Sequence, residues 1–166
     1  MIIERIHIRP ARQDDVETLV MFNAAMALET ESRRLDLATL RKGTLAFLES
    51  PGYGFYIVAE LPGDTSYKPV GQLMITYEWS DWRNGAFWWI QSVYVVPDRR
   101  GLGVFRAMHN HILVKAKADP RVCGLRLYVE RENRRAQTVY QRVGLLPSVY
   151  TVYEQDFVLA PSKHLP

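Results

Sequence analysis

Residues 86–96 read AFWWIQSVYVV, eleven positions that are apolar at both odd and even places apart from Gln91 and Ser92. A half-exposed strand alternates and a surface helix shows a stripe, so a run apolar on both faces fits a strand covered on both sides. The run is about half of the roughly 20 residues needed to cross a bilayer, and Pro97 ends it. A sheet with a layer over each face places the chain in a mixed α/β class. With 166 residues, 48% of them hydrophobic, residues 1–166 are expected to form one domain around one core.

The segments around this strand supply the layers. Ile6–Ile8 reads as a short strand stopped by Pro10. From Asp14 to about Thr30 apolar residues recur at helical spacing behind Asp14, Asp15 and Glu17, which suit the positive end of a helix dipole. Asp36 is placed to cap a second helix that Pro51 and Gly52 close. Strands Gly54–Leu61 and Val70–Glu78 form a hairpin, and Asn84-Gly85 turns the chain into the central strand. A helix over about Leu102–Ala118, a strand Gly124–Val129, a helix Asn133–Val143 and a last strand Tyr150–Val158 complete the order β-α-α-β-β-β-α-β-α-β.

Composition excludes several classes of function. Cys123 is the sole cysteine, and His7, His109, His111 and His164 lack metal-ligand spacing, so neither a disulfide nor a metal is expected. The start of the chain has Glu4, Arg5, Arg9 and Arg12 and no apolar core of a secretory signal, so a cytoplasmic location is expected. A net charge of +3 gives no reason to expect nucleic acid as a partner, and no segment suggests a membrane. The charge is uneven: residues 1–83 hold 9 Lys/Arg and 12 Asp/Glu, residues 84–166 hold 12 and 6. The second half suits a polyanion and the first half a cation.

The chemistry concentrates after the central strand, in VYVVPDRRGLGVFR, residues 93–106. Two glycines before a helix expose successive backbone N–H groups in front of the positive end of its dipole, a phosphate or pyrophosphate site, and Arg99, Arg100 and Arg106 add charge. No Lys-Ser/Thr follows, so this is not a nucleotide P-loop, and Arg106 stands where a dinucleotide motif has its third glycine.

The run from Val93 through Phe105 resembles the acyl-CoA-binding signature of the GNAT superfamily of N-acetyltransferases, a strand followed by R/Q-x-x-G-x-G/A opening a helix. Arg100–Phe105 matches it, with Phe105 in place of Gly or Ala. Downstream, NRRAQTVYQRVGL, residues 133–145, resembles the same family's N-x-x-A-x-x-x-Y-x-x-x-G-F helix, with Leu145 for Phe. The resemblance implies a GNAT-like fold: a mostly antiparallel twisted sheet of six to seven strands, flanked by four helices and splayed into a V beside Gly124–Val129. It further implies acetyl-CoA as acyl donor, with the backbone of Val93, Tyr94 and Val95 holding the pantetheine. The segment Arg99, Arg100, Gly101, Leu102, Gly103, Val104, Phe105 and Arg106 would hold the pyrophosphate, and Asn133 would bond the pantetheine. Tyr140 would protonate the departing thiolate, and the acceptor would be a primary amine of a small molecule or peptide.

The central strand carries no Asp, Glu or His to take the amine's proton. Glu78 at the end of the preceding strand and Glu29 and Glu31 at the end of the first helix are the candidate bases, Glu78 the first choice, and Glu29, Glu31 and Trp82 are expected at the acceptor. The aromatics Trp79, Trp82, Phe87, Trp88 and Trp89 suit core packing, an acceptor wall or a homodimer surface. The competing class is a GNAT-like module that binds acyl-CoA without catalysis, for which Phe105 and the missing strand carboxylate argue. Tyr140 argues for an enzyme.

Overall fold

The computed structural model describes residues 6–159. Strand β1 (His7–Pro10) leads through a 3-10 turn at Gln13–Asp15 to α1 (Val16–Glu31) and α2 (Leu37–Leu48). Then follow β2 (Gly54–Pro62), β3 (Tyr67–Ser80), β4 (Gly85–Val95), α3 (Val104–Ala118), β5 (Val122–Arg126) and α4 (Arg134–Arg142). The sheet order is β1-β2-β3-β4-β5, antiparallel except for the β4–β5 pair, which is parallel because α3 crosses between them.

Alternation along the strands sorts side chains onto two faces. On one, Ile57, Ala59, Leu73, Ile75, Trp88 and Ile90 pack with Val104, Met108, Ile112 and Ala116 of α3. On the other, Tyr56 and Val58 pack with Leu19 of α1, and Phe47 and Met74 join them. Val58, Leu73 and Ile75 are fully buried, as central-strand positions between two layers should be.

The helix ends follow local chemistry. Asp36 caps α2 by accepting from the Thr39 N–H at 2.8 Å, and Asn133 caps α4 by accepting from the Ala136 N–H at 3.0 Å. Below the sheet, Arg9 lies between Asp15 (2.7 Å) and Glu60 (2.7 Å). Burial, the largest single influence, would raise both carboxyls, but the hydrogen bonds and charge of Arg9, together with the Arg12 N–H at Asp15 and His7 at Glu60, outweigh it and hold both below the ordinary carboxylate range.

Two expectations are corrected. Residues 150–158 form no strand: Tyr150, Tyr153 and Phe157 are 73%, 92% and 87% exposed. An apolar alternation makes a strand only where a neighbour takes its N–H and C=O groups, and among the described residues this segment's hydrogen bonds are local, as those of Val158 and Leu159 to Asp156 are. The described sheet therefore has five strands rather than six to seven. In addition, β5 begins at Val122 and ends at Arg126, earlier than Gly124–Val129, because its register is set by pairing Ala86 with Val122 and Trp89 with Arg126.

Candidate active site

The central strand parts from its neighbour halfway along. Pairing of β4 with β5 stops at Trp89 and Arg126, while β4 runs on to Val95 against β3 alone. From Ile90 onward the β4 edge therefore faces a gap. At the point of parting, Glu78 accepts hydrogen bonds from the Trp89 indole N–H and from Arg126 (2.5 Å), and the Arg126 guanidinium lies over the Phe87 ring at 3.7 Å. These contacts tie β3, β4 and β5 together where the gap opens.

Inside the gap β4 carries a bulge. Ser92 and Val93 stand opposite the single residue Leu73, since Gln72 pairs with Tyr94 and Met74 with Gln91. Ser92 adopts a positive φ of 49°, rare for a residue with a side chain. A buried polar chain supports it: the fully buried Gln72 amide donates to the Ser92 carbonyl (3.2 Å) and to Asn23 Oδ1 (2.8 Å), and Asn23 donates to Tyr56 Oη (3.2 Å). Burial pushes the Tyr56 hydroxyl up, against the pull of its bonds with Asn23 and Ser92, so it stays protonated at neutral pH. The polar pair Gln91-Ser92 in an otherwise apolar run is the sequence signal that marks this bulge.

On the α3 side of the gap lies the glycine turn. Gly101 and Gly103 adopt φ values of 79° and 86°, which other residues reach only with strain, and Gly103 is the residue before α3. The first-turn amides of α3 have no intrahelical acceptors and point out from the positive end of its dipole. Arg106 and Arg99 are exposed beside the turn, with Arg99 near Asp98 at 3.4 Å. Arg100 turns the other way: it bonds the Val95 carbonyl (2.8 Å) and Glu29 (2.7 Å) and lies over the Tyr94 ring. Its guanidinium thus fastens the end of α1 to β4.

Phe105, the departure from the signature, packs edge-on against Tyr140 with ring centroids 5.4 Å apart. The bulky residue fills the space between α3 and α4 and brings Tyr140 to the first turn of α3. Burial raises the Tyr140 hydroxyl above its ordinary value, leaving it a protonated acid at neutral pH. Asn133 begins the same helix, and its Oδ1 is used by the cap.

The remaining predicted residues lie apart. Glu29 is held by Arg100 and by the Tyr94 hydroxyl (3.3 Å), and Glu31 lies 3.5 Å from Arg33. Trp82 is 84% exposed in the β3–β4 turn. That turn meets β4 seven residues before Ser92, roughly 23 Å along the strand. Glu78 pairs with Phe87, and its carboxylate reaches Trp89, short of the bulge.

The sequence gives no hint of a cleft of about 450 Å³ between α1, α2 and the sheet. Met26, Leu35, Leu40, Phe47 and Met74 form its walls. Asn23, Thr39, Gly43, Thr44, Tyr56 and Ser92 complete the lining, so the cleft reaches the β4 bulge from the face opposite α3. Its residues are scattered from 23 to 92, which is why no local motif announces it.

A family model for the GNAT acetyltransferases matches residues 20–145, from within α1 to just past α4. The chain belongs to the GNAT acetyltransferase family. A crystal structure of a possible acetyltransferase from Clostridium difficile 630 is similar at 42% identity, with 93% of this chain and 99% of that one covered and a TM-score of 0.84. A "predicted acetyltransferase with acetyl-CoA" from Clostridium acetobutylicum shares the fold at 16% identity, TM-score 0.71, over 90% of this chain and 96% of that one. A ribosomal-protein-alanine N-acetyltransferase from Brucella melitensis biovar Abortus 2308 shares it at 17% identity, TM-score 0.69, over 92% and 99%. No curated protein matches the sequence. Family membership makes this GNAT chain an acyltransferase, and the described residues include no helix long and apolar enough to cross a membrane.

Proposed function

We propose that this GNAT chain transfers an acetyl group from acetyl-CoA to a primary amine by direct attack. The observation that carries this reading is the glycine turn before α3 beside the unpaired edge of β4, with the protonated Tyr140 packed on Phe105 in the first turn of that helix. Acetyl-CoA supplies the thioester. The chain's residues fit it: the turn from Gly101 to Arg106 offers backbone N–H groups to a pyrophosphate, with Arg99 and Arg106 adding charge. The edge of β4 at Val93 and Val95 offers backbone partners to an extended pantetheine arm, in the manner of an added strand.

Three groups then divide the work. The Val93 N–H, aimed by the bulge, is the donor for the oxyanion that forms as the amine nitrogen attacks the carbonyl carbon. Tyr140 gives its proton to the sulfur as the carbon–sulfur bond breaks. Glu78 accepts the amine's proton through water while remaining tied to Arg126 and Trp89. Asn133, beyond its cap, bonds the pantetheine through its side-chain amide.

The test is free-thiol release from acetyl-CoA across a library of primary amines, beside a calorimetric titration with acetyl-CoA. Binding with amine-dependent thiol release supports the reading. Binding with no release for any amine would leave a module that only holds acyl-CoA.

A further inference from the structure

The cleft on the α1–α2 face reaches the bulge at Ser92, and its walls are apolar side chains from three elements. Among the described residues its lining contains no Lys, Arg, Asp or Glu. Of the predicted carboxylates, Glu29 is already paired with Arg100. An acceptor bearing several ammonium groups would have to bury charge here without a counter-ion, and a free carboxylate would fare no better. The Thr39 and Thr44 hydroxyls are taken up within α2, by Asp36 and by the Leu40 carbonyl, and the other polar lining groups, Tyr56, Asn23 and Ser92, lie at the end where the cleft meets the strand. The site therefore has one polar end for one amine and an apolar body for the rest.

A second observation points the same way. Gly43 lies in the interior of α2, where glycine is among the poorest helix formers. Neither packing nor backbone conformation asks for it: a Cβ at this position would meet no atom within 4 Å, and its φ is not in the left-handed region. Its helical neighbours at three and four residues, Leu40, Thr39 and Phe47, all line the cleft, so a side chain at 43 would project along that wall. Glycine here keeps space open that the fold does not need.

We propose that this cleft binds the acceptor, and that the acceptor is a small monoamine with an uncharged, apolar body, for which Gly43 leaves room. The inference rests on the acyl-transfer reading for its reaction but not for its binding site. A volume of about 450 Å³ is within the range of clefts that enclose small organic ligands. Each methylene of the amine that enters the apolar walls should strengthen binding about fourfold until the cleft is full.

The experiment measures binding and turnover separately. Calorimetry of the full chain with n-propylamine through n-hexylamine, phenethylamine, spermidine and a short apolar peptide reads the cleft directly. Thiol release with acetyl-CoA reads kcat/KM for the same series. The expected result is a rise of about fourfold per methylene, and spermidine weaker than hexylamine by at least tenfold. Gly43→Leu should weaken hexylamine at least tenfold while leaving acetyl-CoA affinity unchanged, and Gly43→Ala should have a smaller effect in the same direction. Melting temperatures at or above the parent's in both variants, as expected when a better helix former replaces an interior helical glycine, would show that the cleft has changed and the fold has not been damaged. A flat alkyl series, preference for spermidine or the peptide, or unaltered hexylamine binding in Gly43→Leu would overturn the proposal. If the alkyl series binds as expected and no thiol is released, the acyl-transfer reading fails and the cleft assignment stands.

Discussion

The two sides of the gap in the sheet are built in different ways. On the α3 side, fourteen consecutive residues from Val93 to Arg106 carry a strand edge, two glycines at positive φ and a helix N-terminus. Backbone groups do the binding there. On the α1–α2 side, the cleft is made of side chains from five elements and a connecting segment, and its polar end depends on a buried chain through Gln72, Asn23 and Tyr56. A backbone site can serve a common cofactor while its surroundings change, because most side chains present the same N–H. A side-chain site changes with each substitution, so specificity resides on that face.

The largest separation between the two sides should come from Tyr140→Phe. It removes the proton donor but keeps the ring packed on Phe105, so kcat should fall by something between about ten and ten-thousand-fold with acetyl-CoA affinity retained. Equal kcat in variant and parent would reduce Tyr140 to packing.

Arg9→Met tests whether stability can be altered without touching either side. It leaves Asp15 and Glu60 buried without their cation, a loss of about 3–5 kcal/mol in denaturant unfolding. Both carboxyls are held below their ordinary values in the folded chain. Their contribution is therefore present above about pH 4 and lost as the pH falls through the lower folded values. The variant's unfolding free energy should depend less on pH in this acid range than the parent's, with amine preference unchanged. An equal acid dependence would place the acid sensitivity elsewhere.

Much of the α3 side was legible because its requirement is local: positive φ at two positions of a strand-to-helix turn calls for glycine at fixed spacing. The helix caps at Asp36 and Asn133 were legible for the same reason. The partner of the Arg100 side chain was not legible because a guanidinium on a long stem chooses its partner in space, and Glu29 is 71 positions away in sequence. Residues 150–158 were misjudged because apolar alternation records a face to bury and not the neighbour that must supply hydrogen bonds. The cleft was invisible since no two of its elements share a motif.

Gly103→Ala should show a smaller effect on the backbone side. Forcing a Cβ into φ 86° costs about 1–2 kcal/mol, which relaxation would remove at the expense of N–H alignment. Acetyl-CoA affinity measured by calorimetry should fall roughly tenfold, while amine binding in the cleft stays the same. A matching loss of amine affinity would show that the two sides are coupled. The smallest effect is expected from Glu78→Gln: a few-fold lower kcat/KM, with acetyl-CoA affinity retained, because water can replace the carboxylate in part. An unaltered kcat/KM would confine Glu78 to its tie with Arg126.

The most direct test follows the acetyl group itself. The chain is incubated with acetyl-CoA carrying carbon-13 in the acetyl group and with the panel of primary amines, and the products are resolved by NMR and mass spectrometry. The account predicts label in an N-acetyl amide, one free thiol for each amide formed, and the rates of both signals lowered together, at least tenfold, in Tyr140→Phe. Label found only in free acetate, or acetyl-CoA bound and recovered intact with every amine, would contradict it.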